Sequence, residues 1–315
     1  MATVLEAGVI DWYELSNQIW GHLLQVEVPQ NAIGGEANLI QQIVQAFILG
    51  IVQGLTEFLP ISSTAHLEVF TKAFGWALLG QKSFVATIQF GSVIAVLIYF
   101  RQEIVQILTG SLTAFRQKDW RRDEWQLLVG ITIGTLPILI AGFLLKDALN
   151  DETSAINSMV TIAIDSIVLA ALLGAAEKLG SRKRNFQDLK IQDGLLIGLG
   201  QMLALAPGVS RSGATLTTAL FLGLQRQTAA KFSFLLGIPA LTISTLYQFV
   251  KYALGQINLV VVIVGVLSAF VFSYLSIAWL LRYLQTRNTW IFVWYRVAFG
   301  VAILVAVAAG VLQNS

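Results

Sequence analysis

The chain has 315 residues, of which 56% are hydrophobic and 12% are charged, about half the charged fraction of a soluble globular domain. This composition excludes a water-soluble fold and predicts a membrane protein. The formal net charge of +2 is too small to indicate nucleic-acid binding, and the absence of cysteine excludes disulfides and cysteine-ligated metals.

An acidic extension forms the first 38 residues, which contain no Lys or Arg. The extension therefore lacks the basic region of a signal peptide and is expected to belong to the mature protein. Apolar residues between Leu15 and Leu24 share one helical face. This pattern predicts an interfacial helix on the outer surface, with a disordered tail as the alternative.

Six apolar segments further along are long enough to cross the hydrocarbon core of a bilayer. They lie at about 83–100, 127–145, 157–177, 231–250, 258–281 and 290–312. Residues 39–59 and 191–206 are also apolar, but Pro60 and Pro207 follow them, each with a Ser-rich or Gly-rich turn. We interpret them as re-entrant helix pairs, because non-helical backbone at membrane depth must be buried in protein or line a polar cavity. The alternative is that the prolines only kink spanning helices.

Basic residues cluster in three loops between the predicted spans, at 101–124, 178–190 and 282–288. The positive-inside rule places these loops in the cytoplasm and both termini outside. We therefore predict an all-α, polytopic membrane helical bundle with two inverted-topology repeats, 39–177 and 191–312. Each repeat has a re-entrant helix pair plus three transmembrane helices, within a single domain at 39–312. Such repeats place a shared polar site near the bilayer midplane.

Polar residues around the first proline suggest a reactive site. Gln53 and Glu57 share one helical face, and a carboxylate in apolar sequence needs a cation, a metal or a proton as partner. After the proline, three hydroxyl residues resemble a helix N-terminus that accepts phosphate. These are Ser62, Ser63 and Thr64. His66 lies one turn beyond Ser63, where it could reach the Ser63 hydroxyl or a substrate oxygen as a general base or acid.

The segment after the second proline predicts an anion site. Arg211 lies in apolar sequence, where a guanidinium costs about 2.5–3.5 kcal/mol on insertion scales, and its planar fork fits phosphate oxygens bidentately. Hydroxyls near it are those of Ser210, Ser212 and Thr215. Two helix N-termini that converge with one arginine predict a diphosphate site, with Glu57 and Gln53 as ligands of a bridging divalent cation.

Structural roles are the alternatives for each of these residues. Ser and Thr in membrane helices commonly bond the backbone one turn earlier. Glu57 and Arg211 could form a structural ion pair, and a lone buried histidine is often structural. Among the other charges in apolar sequence, Asp165 and Arg296 are expected to pair across helices or to extend toward the membrane surface.

Two stretches, Gln53–His66 and Pro207–Thr215, closely resemble the signature segments of the bacterial undecaprenyl-diphosphate phosphatase family, also called the bacitracin-resistance family. The resemblance runs from about residue 40 to 312. It implies a multi-pass hydrolase of the plasma (inner) membrane that converts undecaprenyl diphosphate to undecaprenyl phosphate and inorganic phosphate. It also implies recycling of the lipid carrier for cell-wall synthesis, bacitracin resistance, and a divalent cation, Mg or Ca, as cofactor.

The resemblance also assigns roles to residues. It implies Gln53 and Glu57 in the acidic motif, Ser63, Thr64 and His66 after the first proline, and Ser210, Arg211 and Thr215 in the arginine motif. Gln53 stands where many relatives carry Glu, which removes one charge from the proposed metal site, and Ala65 stands where Gly is usual.

The nucleophile and the reaction class remain open at this stage. Ser63, His66 or water could attack the terminal phosphorus, and Ser63 is favoured because it lies at the predicted helix N-terminus. A transporter for the lipid carrier would need the same anion site. A lipid phosphatase of the phosphatidic-acid type is disfavoured, because no histidine follows Arg211. The sequence does not decide between a monomer and a homodimer.

Overall fold

The computed structural model describes residues 34–76, 79–146, 149, 155–252 and 258–314. The interfacial helix predicted between Leu15 and Leu24 lies outside the described residues. The first described helix begins at Gly34. The α-helices are α1 Gly34–Phe58, α2 Ser63–Ala73, α3 Lys82–Tyr99, α4 Arg101–Gln117, α5 Asp123–Leu144, α6 Met159–Leu179, α7 Ile191–Gln201, α8 Arg211–Phe221, α9 Arg226–Tyr252, α10 Leu259–Thr286 and α11 Trp290–Ala308.

The regular structure of the described residues is helical, which confirms the predicted all-α membrane bundle. In this part of the chain the β-type pairing is one isolated bridge between Arg184 and Leu224. Seven described helices are long and apolar enough to cross a membrane. Six correspond to the predicted spans, and the seventh is Asn38–Phe58, which the sequence predicts as the first half of a re-entrant pair.

Both predicted helix interruptions are present as full breaks. α1 ends at Phe58 and α2 begins at Ser63, while α7 is followed by a 3₁₀ turn that ends at Leu205 before α8 begins. Pro137 and Pro239, by contrast, lie inside the continuous helices α5 and α9. The alternative that Pro60 and Pro207 only kink continuous helices is therefore wrong. We call residues 59–62 the first break and residues 206–210 the second break.

The two halves of the chain use the same helix pairings. α2 packs against α1 and α8 against α7, so each pair folds back at its break. α10 packs along α1 and α3, and α5 packs along α7 and α9. α6 with α11 and α3 with α9 then join the halves. This matched packing agrees with a repeat, while the inverted orientation of the halves in a bilayer stays a prediction.

Glycines bring the helices of these pairs into close contact. A Cβ atom at Gly198 of α7 would lie 2.0 Å from the Gly134 carbonyl oxygen of α5. One at Gly54 of α1 would lie 2.7 Å from the Phe272 Cβ of α10. Small residues that let backbones approach are typical of helix contacts in membranes, and here they fix the helices that carry the two breaks.

A helix that the sequence did not indicate, α4, occupies most of the loop at 101–124. Its buried residues Ile107, Gly110, Ser111 and Ala114 lie on one side, and the Ser111 hydroxyl donates to the Glu124 carbonyl oxygen at 2.8 Å. Its interspersed polar residues hide the helical pattern from a search for long apolar runs.

Charged residues tie down the loops at one end of the bundle. The buried Glu177 carboxylate accepts from Arg226 Nε at 3.0 Å and from the Thr289 hydroxyl at 2.8 Å, which joins the ends of α6, α9 and α11. Arg184 donates to both carboxylate oxygens of Asp193, and these hydrogen bonds raise the pKa of the Arg184 guanidinium. The contact of Arg184 with Asp193 binds the predicted basic loop 178–190 to α7.

Candidate active site

The two breaks end in equivalent serine caps. Ser62 has φ 75° and its hydroxyl accepts from the Ala65 backbone N–H. Ser210 has φ 74° and its hydroxyl accepts from the Gly213 backbone N–H. A non-glycine residue with positive φ is uncommon and often lies at a functional site. Both α2 and α8 therefore begin as predicted, with free N-terminal N–H groups available for an anion.

Glu57 lies at the centre of the site and brings both breaks together. Its side chain is 6% exposed. Ser63 Oγ donates to Glu57 Oε2 at 2.7 Å, and Gln53 Nε2 donates to the same oxygen at 3.0 Å. Arg211 Nη2, from the opposite break, donates to Glu57 Oε1 at 3.4 Å. The structure thus places three of the predicted site residues around the carboxylate of a fourth.

Arg211 has donor capacity that its protein contacts leave unused. Its Nη1 atom is buried and has no hydrogen-bond partner in the described residues. A Cβ atom at Gly237 of α9 would lie 1.5 Å from this Nη1, so the glycine makes room for the guanidinium. A buried donor without an acceptor is costly, and a phosphate oxygen would satisfy it.

His66 does not contact the Ser63 hydroxyl, contrary to one of the predicted arrangements. Its Nδ1 lies 2.7 Å from the Ser62 carbonyl oxygen and its Nε2 lies 2.6 Å from the Tyr295 hydroxyl. Because a carbonyl only accepts, Nδ1 carries the proton in this contact. The side chain is buried and stacks on Phe299, with ring centroids 4.1 Å apart. The imidazole is therefore engaged by Ser62 and Tyr295, and the Glu57 carboxylate is the acceptor of the Ser63 hydroxyl.

Four of the predicted substrate-binding hydroxyls already bond within the protein, since Ser210 caps α8 as described above. Ser62 caps α2, and Ser212 donates to the Leu59 carbonyl oxygen at 3.0 Å. Thr215 is fully buried and donates to the Arg211 carbonyl oxygen at 2.9 Å. These contacts agree with the structural alternative of backbone bonding. Thr64 is exposed, and Ser63 and Ser210 are partly exposed.

Two buried serines extend the site and were not indicated by the sequence. Gln53 Nε2 lies 3.4 Å from Ser92 Oγ on α3, and Ser273 Oγ on α10 donates to Ser92 Oγ at 2.8 Å. Both serines are fully buried. Ser92 contacts the same Gln53 nitrogen that donates to Glu57, and Ser273 contacts Ser92. Nothing in their local sequence distinguishes them from other serines of apolar helices.

The expected ion pair of Asp165 and Arg296 is not formed. Arg296 is fully buried and donates to three backbone carbonyls, while Asp165 Oδ2 is buried with no hydrogen-bond partner in the described residues. Backbone acceptors on segments distant in sequence cannot be inferred from side-chain charge, which is why the sequence indicated a carboxylate partner instead.

Glu57 and Gln53 are the residues that could hold a divalent cation. The described residues contain no group of three or more His, Cys, Asp or Glu side chains suited to a metal. Mg²⁺ is nevertheless commonly bound through one or two carboxylates together with substrate phosphates. The oxygen atoms of Glu57 and of the Gln53 amide, next to an anion site, fit that mode of binding.

Together, fold and site define a polytopic α-helical membrane protein in which two helix breaks bring an arginine, a carboxylate and a serine hydroxyl together. A family model described as "Bacitracin resistance protein BacA" matches residues 46–302. The chain therefore belongs to the BacA family.

Curated relatives cover most of the chain. It is 54% identical over 271 residues to an undecaprenyl-diphosphatase of Thermosynechococcus vestitus, which covers 86% of this chain and 98% of the relative. It is 49% identical over 314 residues to an undecaprenyl-diphosphatase of a Nostoc species, with 96% and 98% covered. An undecaprenyl-diphosphatase of Trichormus variabilis is 52% identical, with 90% of each chain covered. The family resemblance stated from the two signature segments is confirmed.

Proposed function

We propose that this protein is an undecaprenyl-diphosphatase, which hydrolyses undecaprenyl diphosphate to undecaprenyl phosphate and inorganic phosphate. The observation that carries the proposal is the Glu57 carboxylate, which accepts from Ser63 at 2.7 Å and from Arg211 at 3.4 Å. A general base beside a hydroxyl nucleophile, with an arginine on its other side, is the arrangement that phosphoryl transfer requires.

The diphosphate lies between the two helix N-termini in this proposal. Arg211 Nη1, which is buried without a partner, donates to an oxygen of the terminal phosphate. Backbone N–H groups at the starts of α2 and α8 stabilise negative charge on the remaining oxygens. The prenyl chain extends into the bilayer, which the apolar surfaces of the candidate spans contact.

Ser63 is the nucleophile in the proposed reaction. Its Oγ attacks the terminal phosphorus and gives its proton to Glu57 Oε2. The bond between this phosphorus and the bridging oxygen breaks, and undecaprenyl phosphate leaves. Water then attacks the phosphoserine, inorganic phosphate is released, and the serine hydroxyl regains a proton. The two ring nitrogens of His66 contact Ser62 and Tyr295. In this proposal His66 therefore stabilises the start of α2 and does not accept the proton of Ser63.

A divalent cation, Mg or Ca, is proposed as the cofactor. When bound by Glu57, Gln53 and phosphate oxygens it would neutralise charge on the diphosphate. We expect Gln53→Glu to keep cation-dependent turnover, because it retains an oxygen ligand, and Glu57→Gln to abolish it.

Phosphate release by the purified protein in detergent tests the activity. A transporter shows no turnover there, because a detergent micelle has no two sides between which to move a lipid. We expect cation-dependent release of phosphate from undecaprenyl diphosphate by the parent protein and none by Glu57→Gln. Absence of release from a folded parent protein would favour transport over hydrolysis.

Location and orientation complete the proposal. We place the protein in the plasma membrane with both termini outside the cytoplasm, because the basic loops at 101–124, 178–190 and 282–288 favour the cytoplasmic side. The chain contains no cysteine, so a single cysteine introduced at Lys183 reports the side of one loop. Labelling of that position by an impermeant reagent in intact cells would contradict this orientation.

A further inference from the structure

Arg296 on α11 is the largest fully buried side chain in the described part of the protein. Its Nη1 donates to the Pro60 carbonyl oxygen at 3.1 Å, and its Nη2 donates to the Gly208 carbonyl oxygen at 2.8 Å. Its Nε donates to the Ser166 carbonyl oxygen of α6 at 3.1 Å. One guanidinium therefore contacts both breaks and a spanning helix.

The two carbonyls occupy equivalent places in the breaks. Pro60 stands two residues before the capping Ser62, and Gly208 stands two residues before the capping Ser210. The two terminal nitrogens of Arg296 thus each bind the equivalent carbonyl of one break, while Nε binds a carbonyl of α6.

An arginine is an expensive residue for this position unless its geometry is needed. No carboxylate of the described residues lies within ion-pair distance of Arg296, since the ion pairs of this part of the chain involve other arginines and lysines. A buried cation whose side-chain hydrogen bonds, within the described part of the chain, go to neutral carbonyls costs free energy. The guanidinium provides a rigid, planar set of donors that a lysine ammonium lacks.

We propose that Arg296 is a positioning residue that sets the separation of the two breaks. Ser63 follows the first break and Arg211 follows the second, and they meet across Glu57 at 2.7 and 3.4 Å. Loosening the link between the breaks changes the placement of the nucleophile relative to the phosphate-binding arginine. The inference rests on the proposed function wherever turnover is the readout.

Two substitutions separate position from charge. Arg296→Lys keeps the charge and loses the fork. Arg296→Met loses both: it removes the desolvation cost of a buried cation but leaves the three carbonyl oxygens without this donor. A misplacement of about 1 Å at a reacting group can cost about 100-fold in rate. We expect both variants to lose about that factor in kcat with little change in KM, because Arg296 does not itself contact the phosphates in this proposal.

A distance measurement reports the breaks without relying on activity. Cysteines at Phe74 and Phe221, exposed residues at the far ends of α2 and α8, carry two spin labels in a chain that has no cysteine of its own. Pulsed electron paramagnetic resonance should give a narrow distance distribution in the parent and a broader or displaced one in both Arg296 variants. Arg282→Lys, at an exposed arginine of α10, is the matched control and should change neither readout.

The outcomes decide between distinct roles. Full activity in Arg296→Lys with loss in Arg296→Met would assign a purely electrostatic role and overturn the proposal. Loss of kcat in both variants with an unchanged distance distribution would also overturn it. If Arg296→Lys fails to fold, Arg296→Met and the distance measurement decide alone. An inactive parent protein with the expected distance changes would refute the proposed function and leave the positioning role standing.

Discussion

The two breaks have similar backbone conformations and differ in their side chains. Counted from the capping serines, Ser63 after the first break corresponds to Arg211 after the second, and His66 corresponds to Ala214. The caps have nearly the same φ angle, 75° and 74°. The cap conformation and the helix N-terminus are therefore common to both breaks, whereas the side chain that follows the cap differs, a hydroxyl after the first break and a guanidinium after the second.

The helices that precede the breaks differ in the same way. Gln53 of α1 corresponds to Gln201 of α7, and Glu57 corresponds to Leu205. Gln53 bonds to Glu57 and Ser92. Gln201 is fully buried, and neither of its amide atoms has a hydrogen-bond partner in the described residues. A carboxylate therefore precedes the first break, and the second break has leucine at the equivalent position.

Removing the hydroxyl of Ser63, the proposed nucleophile, should have the largest effect on turnover. Ser63→Ala should lower turnover by at least about 10³-fold, because Glu57 then has no hydroxyl to activate, while diphosphate binding is largely kept. Phosphate release and acid-quench trapping measure this, since phosphoserine survives acid and phosphohistidine does not. Ser62→Ala, which removes a cap, should be milder. An acid-labile phosphoenzyme would make His66 the nucleophile.

Replacing Arg211, the proposed phosphate-binding residue, tests the second break. Arg211→Lys keeps the charge but loses the fork, so turnover should fall about 100-fold, the range seen when one fixed donor is removed from an anion site. Steady-state phosphate release measures the loss, and Arg287→Lys at an exposed arginine is the control. Near-normal turnover would identify the contact between Arg211 and Glu57 as a structural ion pair.

A larger side chain next to Arg211 perturbs the same break less directly. Gly237→Ala places a methyl group 1.5 Å from the present position of Arg211 Nη1, so the guanidinium must move, and we expect about a 10-fold to 100-fold loss of kcat/KM. Gly142→Ala is the matched control in a spanning helix, since its Cβ would meet Leu205 at 3.5 Å, an ordinary contact. Equal activity of the two variants would show that the position of Nη1 is unimportant.

The smallest expected effect concerns the histidine that only the first break carries. Tyr295→Phe removes the hydroxyl 2.6 Å from His66 Nε2, while stacking on Phe299 and the contact with Ser62 remain. One hydrogen bond of about 0.5–1.5 kcal/mol corresponds to about a 2-fold to 10-fold loss of kcat. Tyr274→Phe on α10 serves as the control. A loss as large as that of Ser63→Ala would place His66 and Tyr295 in the proton transfer itself.

Local signals predicted the breaks well. Proline ends a helix and serine caps the next one, and both effects act within a few residues, so Pro60, Ser62 and Ser210 indicate structure without knowledge of the fold. Glu57 and Arg211 were also found, because charge in apolar sequence is conspicuous.

Contacts between distant segments were not predictable in the same way. Tyr295 reaches His66 across 229 positions, and Ser273 reaches Ser92 across 181. Arg296 was visible as a charge, but its acceptors are backbone carbonyls, which every residue possesses. Which carbonyl it contacts depends on how the helices assemble, and so the sequence indicated Asp165 instead.

The glycine contacts of the fold bear on how the protein assembles. Inside a bilayer, helices gain little by hiding apolar side chains from one another, because lipid tails are equally apolar. Association then depends on dispersion between backbones that touch, as α5 and α7 do at Gly134 and Gly198. A methyl group at Gly198 would meet backbone atoms that cannot yield, so it would prevent the helix before the second break from docking. The assembly of the site after membrane insertion therefore depends on glycines that never contact the substrate.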